Sequence, residues 1–114
     1  MERDAYRLLA RTIKALAHPT RLAILSLLRK GEVCVCDLEP ALDLRQPNIS
    51  QHLALLRRAN LVRSRRDGLR ILYRVTDPRV FEALELLSSI AREQLVEATE
   101  ALASLMPSNL QGGV

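Results

Sequence analysis

Both cysteines of this 114-residue chain, Cys34 and Cys36, lie in the stretch GEVCVCDLEPALDL with a single valine between them. Two soft sulfur ligands this close can chelate one thiophilic ion or be oxidised together, but they cannot staple distant parts of a fold. A reduced compartment suits such a pair, and a cytoplasmic protein is expected. Residues two apart share a side in extended backbone and lie on roughly opposite sides of a helix. Chelation by both sulfurs therefore calls for a non-helical Cys34 to Cys36 segment at the front of a helix. A helix N-terminus there favours thiolate over thiol, although Asp37 opposes it. The plainer alternative is two small buried hydrophobes, since free cysteine is often buried.

A second constellation sits in RQPNISQHLALLRRAN. Pro47 suits the start of a helix, and Ile49, Leu53 and Leu56 recur at spacings of three and four. With those three turned to a core, Asn48 and Gln51 point away and Ser50 and His52 occupy the flanks. Their amide, hydroxyl and imidazole groups can bond base edges and phosphates. Charge supports a polyanion partner. Residues 45 to 74 carry eight Lys/Arg against one Asp/Glu, whereas residues 75 to 114 carry two against six. The three aromatic residues, Tyr6, Tyr73 and Phe81, are too few for single-strand binding by stacking, so duplex DNA is expected. Ser50, His52 and Asp43 lack the glycine-framed turn of a hydrolase nucleophile, and an enzyme is not expected. No apolar run reaches the ~18 residues that would cross a bilayer.

The elements that must position these groups follow from periodicity. Tyr6, Leu9, Ile13 and Leu16 predict an amphipathic helix over residues 3–17. Pro19 opens a second helix and Gly31 stops it, with Leu22, Leu25 and Leu28 as its buried stripe. His18, beside Pro19, reads as a capping or packing residue. DLEPALDL reads as a short third helix, with Pro40 tolerable only near its start. The helix over about 46–59 is the fourth. In LVRSRRDGLRILYRV the period changes: Leu69, Ile71, Tyr73 and Val75 alternate with Arg70, Leu72 and Arg74, and Asp67-Gly68 supplies a two-residue turn. This predicts a β-hairpin over about 61–75, with Arg65, Arg66 and Arg70 at its tip. Asp77 caps a last helix over about 78–105 and Pro78 begins it, with a leucine-rich stripe through Leu84, Leu87, Leu95 and Leu102. So long a helix exceeds what a small domain can cover, and its surplus apolar surface is expected to meet a second subunit. The expected fold class is mainly α with a β-hairpin wing, a winged helix-turn-helix in one domain over residues 1–106 with a flexible tail over 107–114.

The stretches ALAHPTRLAIL, GEVCVCDL, QPNISQHLALLRRANLV and RDGLRILYRV, in that order, resemble the ArsR/SmtB family of bacterial metal- and metalloid-responsive repressors. The resemblance implies a homodimer paired through its first and last helices, bound to double-stranded operator DNA until an effector releases it. It places Gln46, Asn48, Ser50, Gln51 and His52 in the recognition element and Arg65, Arg66 and Arg70 in the wing. Arg45 departs from the pattern, because relatives often have a serine there that can cap the recognition helix. In the arsenite-responsive branch a third cysteine follows the second by three residues, and here that position is Glu39. In a cadmium- and lead-responsive branch the pair is completed by cysteines on the N-terminal arm, and residues 1 to 17 contain none. The carboxylate and histidine set of the family's zinc sensors lies on the last helix, away from both His18 and His52. The expected effector is As(III) or another thiophilic ion such as Sb(III), Cd or Pb, held by Cys34 and Cys36, with no organic cofactor. Glu39, water or a small thiol would complete the ligand set. The alternative is a redox or reactive-sulfur sensor that uses the same two thiols.

Overall fold

A computed structural model of the chain describes residues 2–105, and the expected tail over 107–114 lies outside the described residues. The elements are α1 (Glu2–Leu16), α2 (Pro19–Leu27) continued by a 3₁₀ turn (Leu28–Lys30), β1 (Val33–Cys34), α3 (Val35–Leu42), α4 (Gln46–Arg58), β2 (Val62–Asp67), β3 (Arg70–Val75) and α5 (Arg79–Leu105). Contacts divide the chain into two compact units, one ending at Phe81 and one beginning at Glu82.

Local chemistry sets the helix ends. His18 is the N-cap of α2, and its Nδ1 accepts a hydrogen bond from the Thr20 N–H at 3.1 Å. This occupies one of the donors that a helix start leaves without a partner. Gly31 turns the chain out of the 3₁₀ segment at φ 130°, a backbone region that disfavours a Cβ. Asp43 ends α3 and Asn60 follows α4 in the left-handed region, where short polar side chains are tolerated. Asp77 Oδ1 accepts from the Arg79 N–H at 2.9 Å at the start of α5. The Arg79 guanidinium grips the same carboxylate, and hydrogen bonds from its side chain and backbone hold the Asp77 pKa at about 2.

The core of the first unit lies where α2, α3, α4 and the base of the hairpin converge. Ile24, Leu25, Leu28, Leu38, Ile49, Leu53, Leu56 and Val62 are its fully buried side chains. The stripe expected on α4 is all there. On α2 the expectation needs correction, because Ile24 is fully buried whereas Leu22 is 40% exposed. Ile24 lies nearer to Leu28 around the helix than Leu22 does, so the buried face centres on the 24–28 edge.

The sheet has three antiparallel strands in the order β1-β3-β2, one more than the hairpin expected. β1 is only two residues long, with Val33 opposite Tyr73 and Cys34 opposite Leu72. Its partners Leu72 and Tyr73 are both buried although their side chains leave β3 on opposite faces, so the simple alternation read from the sequence fails there. The turn also sits one residue later than expected. Asp67 pairs with Arg70, which leaves Gly68 and Leu69 as the loop. Gly68 has φ 64° and Leu69 is not among the positive-φ residues, the pattern of a type II′ turn with glycine first.

The apolar stripes of α1 and α5 stay open in the single chain. On α1, Tyr6, Leu8, Leu9 and Ile13 are all exposed. The second unit consists, among the described residues, of α5 from Glu82 onward, and none of α5 is fully buried. Leu86, Leu87, Ile90, Leu95 and Leu102 are each more than half exposed. No helix among the described residues is long and apolar enough to cross a membrane.

Candidate nucleic-acid interface and thiol site

Cys34 is the N-cap of α3, in extended backbone at φ −73° and ψ 143°. Its Sγ accepts a hydrogen bond from the Cys36 N–H at 3.1 Å, and it is only 3% exposed, whereas Cys36 is exposed. The two sulfurs are joined as a disulfide. The expectation of a wholly non-helical segment is corrected here. Only Cys34 is extended, while Val35 and Cys36 already form the first turn of α3. An N-cap side chain folds over that turn toward the free N–H of the residue two along, which carries one sulfur to the other without unwinding the helix. Among the described residues, no group of three or more His, Cys, Asp or Glu side chains is placed to hold a metal ion.

The joined cysteines line a cleft of about 260 Å³. Glu39 lines it, together with Gln46 and Ser50 from α4 and Arg70 and Tyr73 from β3. Gln46 and Ser50 are four residues apart and so share a helix face. The sulfur site is therefore contiguous with the start of the candidate reading helix and with the wing. Asn48 and Gln51 are exposed, as the helical wheel required. Arg45 makes no side-chain cap, and its carbonyl accepts from the Asn48 and Ile49 N–H groups.

His52 departs from the other candidates. Its ring lies 4.4 Å from that of His18, tilted by 44°, which turns it toward the cap of α2. His52 Nδ1 is buried without a hydrogen bond. Arg21 closes the same corner by donating from Nη1 to the Ala15 carbonyl at 3.0 Å. Burial, then the charges of His18 and Arg21, push the His52 pKa below its ordinary 6.5. The unfolded chain thus takes up this proton at a higher pH than the folded one. Stability is full above 6.5, falls as the pH drops through that value, and levels off below the folded pKa. Urea midpoints at neutral and mildly acidic pH should show this slope, and His52→Gln should flatten it; an equal slope in the variant would assign the effect elsewhere.

The wing arginines are not equivalent. Arg65 stands opposite Leu72 in mid-strand, not at the tip. Its Nε and Nη2 both bond the Glu32 carboxylate, at 2.6 and 2.8 Å. That hydrogen bonding lowers the Glu32 pKa. Arg66 pairs with Ile71, is exposed, and lies one step from the Asp67–Arg70 pair that closes the turn. Nothing in the sequence spacing signalled Glu32, which lies 33 residues from Arg65.

Residues 18–64, from the cap of α2 through the first half of β2, match the family model described as bacterial regulatory protein, arsR family. A biofilm growth-associated repressor of Agrobacterium fabrum is 42% identical over 78 residues, 68% of this chain and 67% of that one. The chain belongs to the ArsR family. The arsenical resistance operon repressor of Escherichia coli is 53% identical to this ArsR-family chain over 64 residues, 55% of each. A homodimeric winged helix-turn-helix DNA-binding domain from Mycobacterium bovis superposes with a TM-score of 0.74 at 34% identity, covering 82% of this chain and 87% of that one. This ArsR-family protein is therefore a winged helix-turn-helix transcriptional repressor, and DNA is its partner.

Proposed function

We propose that the protein is a homodimeric, cytoplasmic repressor that leaves its operator when a thiophilic ion, As(III) first, binds the reduced thiols of Cys34 and Cys36. The observation that carries this reading is the shared cleft, in which both sulfurs lie beside Gln46 and Ser50 of α4 and Arg70 of the wing. Two thiolates suit soft ions such as As(III), Sb(III), Cd or Pb far better than hard cations, and Glu39 lines the same cleft as a further donor. Bound in this position, the ion stands between the sulfurs of Cys34, the cap of α3, and Cys36, in its first turn, in place of the bond that joins them here. The recognition helix follows α3 directly, so on this reading a shift of that first turn is passed to the residues that read DNA. On this reading Asn48 and Gln51 face base edges, Gln46 and Ser50 border the effector, and Arg66 and Arg70 hold the backbone or minor groove. Arg65 reaches DNA only by leaving Glu32, and His52 only by leaving His18. The exposed stripes of α1 and α5 pair two copies, as the homodimeric relative suggests.

A second reading is favoured by the joined sulfurs themselves. Oxidation of the two thiols to the disulfide passes two electrons and two protons to an oxidant such as hydrogen polysulfide, and would switch the same cleft. Operator-bound fluorescence anisotropy separates the two. Release by arsenite under full reduction supports the ion; release only by polysulfide or another oxidant, reversed by reductant, supports the disulfide. Indifference to both would remove the cleft as a sensor.

A further inference from the structure

The end of the hairpin away from its turn carries an arrangement that neither DNA reading nor the thiols explain. Arg63 stands directly opposite Arg74 across the β2–β3 ladder. Like charges in that relation destabilise a sheet. Arg65 follows Arg63 on the same face by strand alternation, but its charge is met by Glu32. Among the described residues neither Arg63 nor Arg74 forms a salt bridge; the Glu32 carboxylate, which lines the same cleft and is held by Arg65, feels the charge of Arg74 from a longer range and leaves Arg63 without a carboxylate of its own.

These arginines line a concave cleft of about 610 Å³. Its wall continues through Arg29, whose guanidinium lies 6.0 Å from the centroid of the Phe81 ring, and Val75 adds apolar surface. The volume falls within the ~300–1,000 Å³ typical of small-molecule sites. Guanidinium forks match carboxylate geometry, and an apolar wall beside them matches a ring or chain. We propose that this cleft is a binding site for a small amphipathic organic anion, a carboxylate carried on an aromatic or aliphatic body. Duplex DNA fits less well. The Arg63–Arg74 pair lies one step from the Val62–Val75 end of the hairpin, far from the Gly68-Leu69 turn, and its cleft is concave and partly apolar.

The test is calorimetric titration of the full-length protein, free of DNA, with 2-naphthoate and with the neutral isostere 2-naphthamide. The acid should bind and the amide should bind about tenfold more weakly or not at all. Arg63→Gln with Arg74→Gln should lose naphthoate binding by about tenfold or more, with a melting temperature equal to or above the parent because the like-charge pair is gone. Arg74→Lys, which keeps the charge and loses the fork, should fall between, and serves if the double variant folds poorly. Equal affinity for acid and amide, or no loss in the variants, overturns the proposal. So does a parent protein that ignores naphthoate while the double variant loses operator affinity and about two units of salt slope, which would make the pair a phosphate contact.

Discussion

Leu53→Ala, on the DNA-reading helix, is expected to destabilise the protein by about 2–5 kcal/mol. Leu53 is 0% exposed and sits between Ile49 and Leu56, also 0% exposed, so its loss opens a cavity in the core that holds α4 against α2 and α3. Domains of this kind hold about 5–15 kcal/mol in all, so operator binding should fail at temperatures the parent tolerates. The measurement is urea unfolding at one fixed protein concentration, because a dimer's stability depends on concentration. Leu55→Ala is the internal control. Leu55 is 40% exposed on the same helix, and its truncation should cost well under half as much in the monomer fold. Equal losses at the two positions would mean that the core boundary on α4 has been drawn wrongly.

The second large effect is on response. Cys34→Ser with Cys36→Ser should leave operator affinity close to that of the parent and abolish release by arsenite, a change that an allosteric coupling of ~1–3 kcal/mol sets at about 5- to 150-fold in the parent. The substitution is well suited to the question, because serine is among the best N-cap residues and can accept from the N–H of residue 36 as the Cys34 sulfur does. Loss of response would then report lost sulfur chemistry and not a frayed α3. Equal release of parent and double variant by arsenite would sink the ion reading, and equal release by polysulfide would sink the disulfide reading. Glu39→Cys adds a sulfur to the cleft at the position where the resembling branch carries its third cysteine, and should tighten the arsenite response. An unchanged response there would separate this site from the three-thiolate type while leaving the two-thiolate reading to the serine variant.

Much of this fold was legible because its signals are local. The Ile49, Leu53 and Leu56 spacing, Pro47 near the start of α4, His18 before Pro19 and Asp77 before Pro78 each describe interactions within one turn of helix, and each is present. The turn was misplaced by one residue because Asp-Gly and Gly-Leu both satisfy hairpin chemistry, and only the pairing of Asp67 with Arg70 chooses between them. β1 went unseen because two residues are too short to show a period. Leu22 and Ile24 could not be ranked from spacing alone, since the choice depends on which side of α2 its neighbours occupy.

The sequence by itself determined the order of elements, the basic middle of the chain, the reading helix and the nearness of two thiols, because all of these depend on composition and on contacts a few residues long. Tertiary structure decided where the chemistry points. It set Cys34 and Cys36 beside Gln46, Ser50 and Arg70, turned His52 onto His18, bound Arg65 to Glu32 and brought Arg63 against Arg74. Those juxtapositions join groups that are distant in the chain, and they arise only when the sheet register and the packing of α2, α3 and α4 are fixed together.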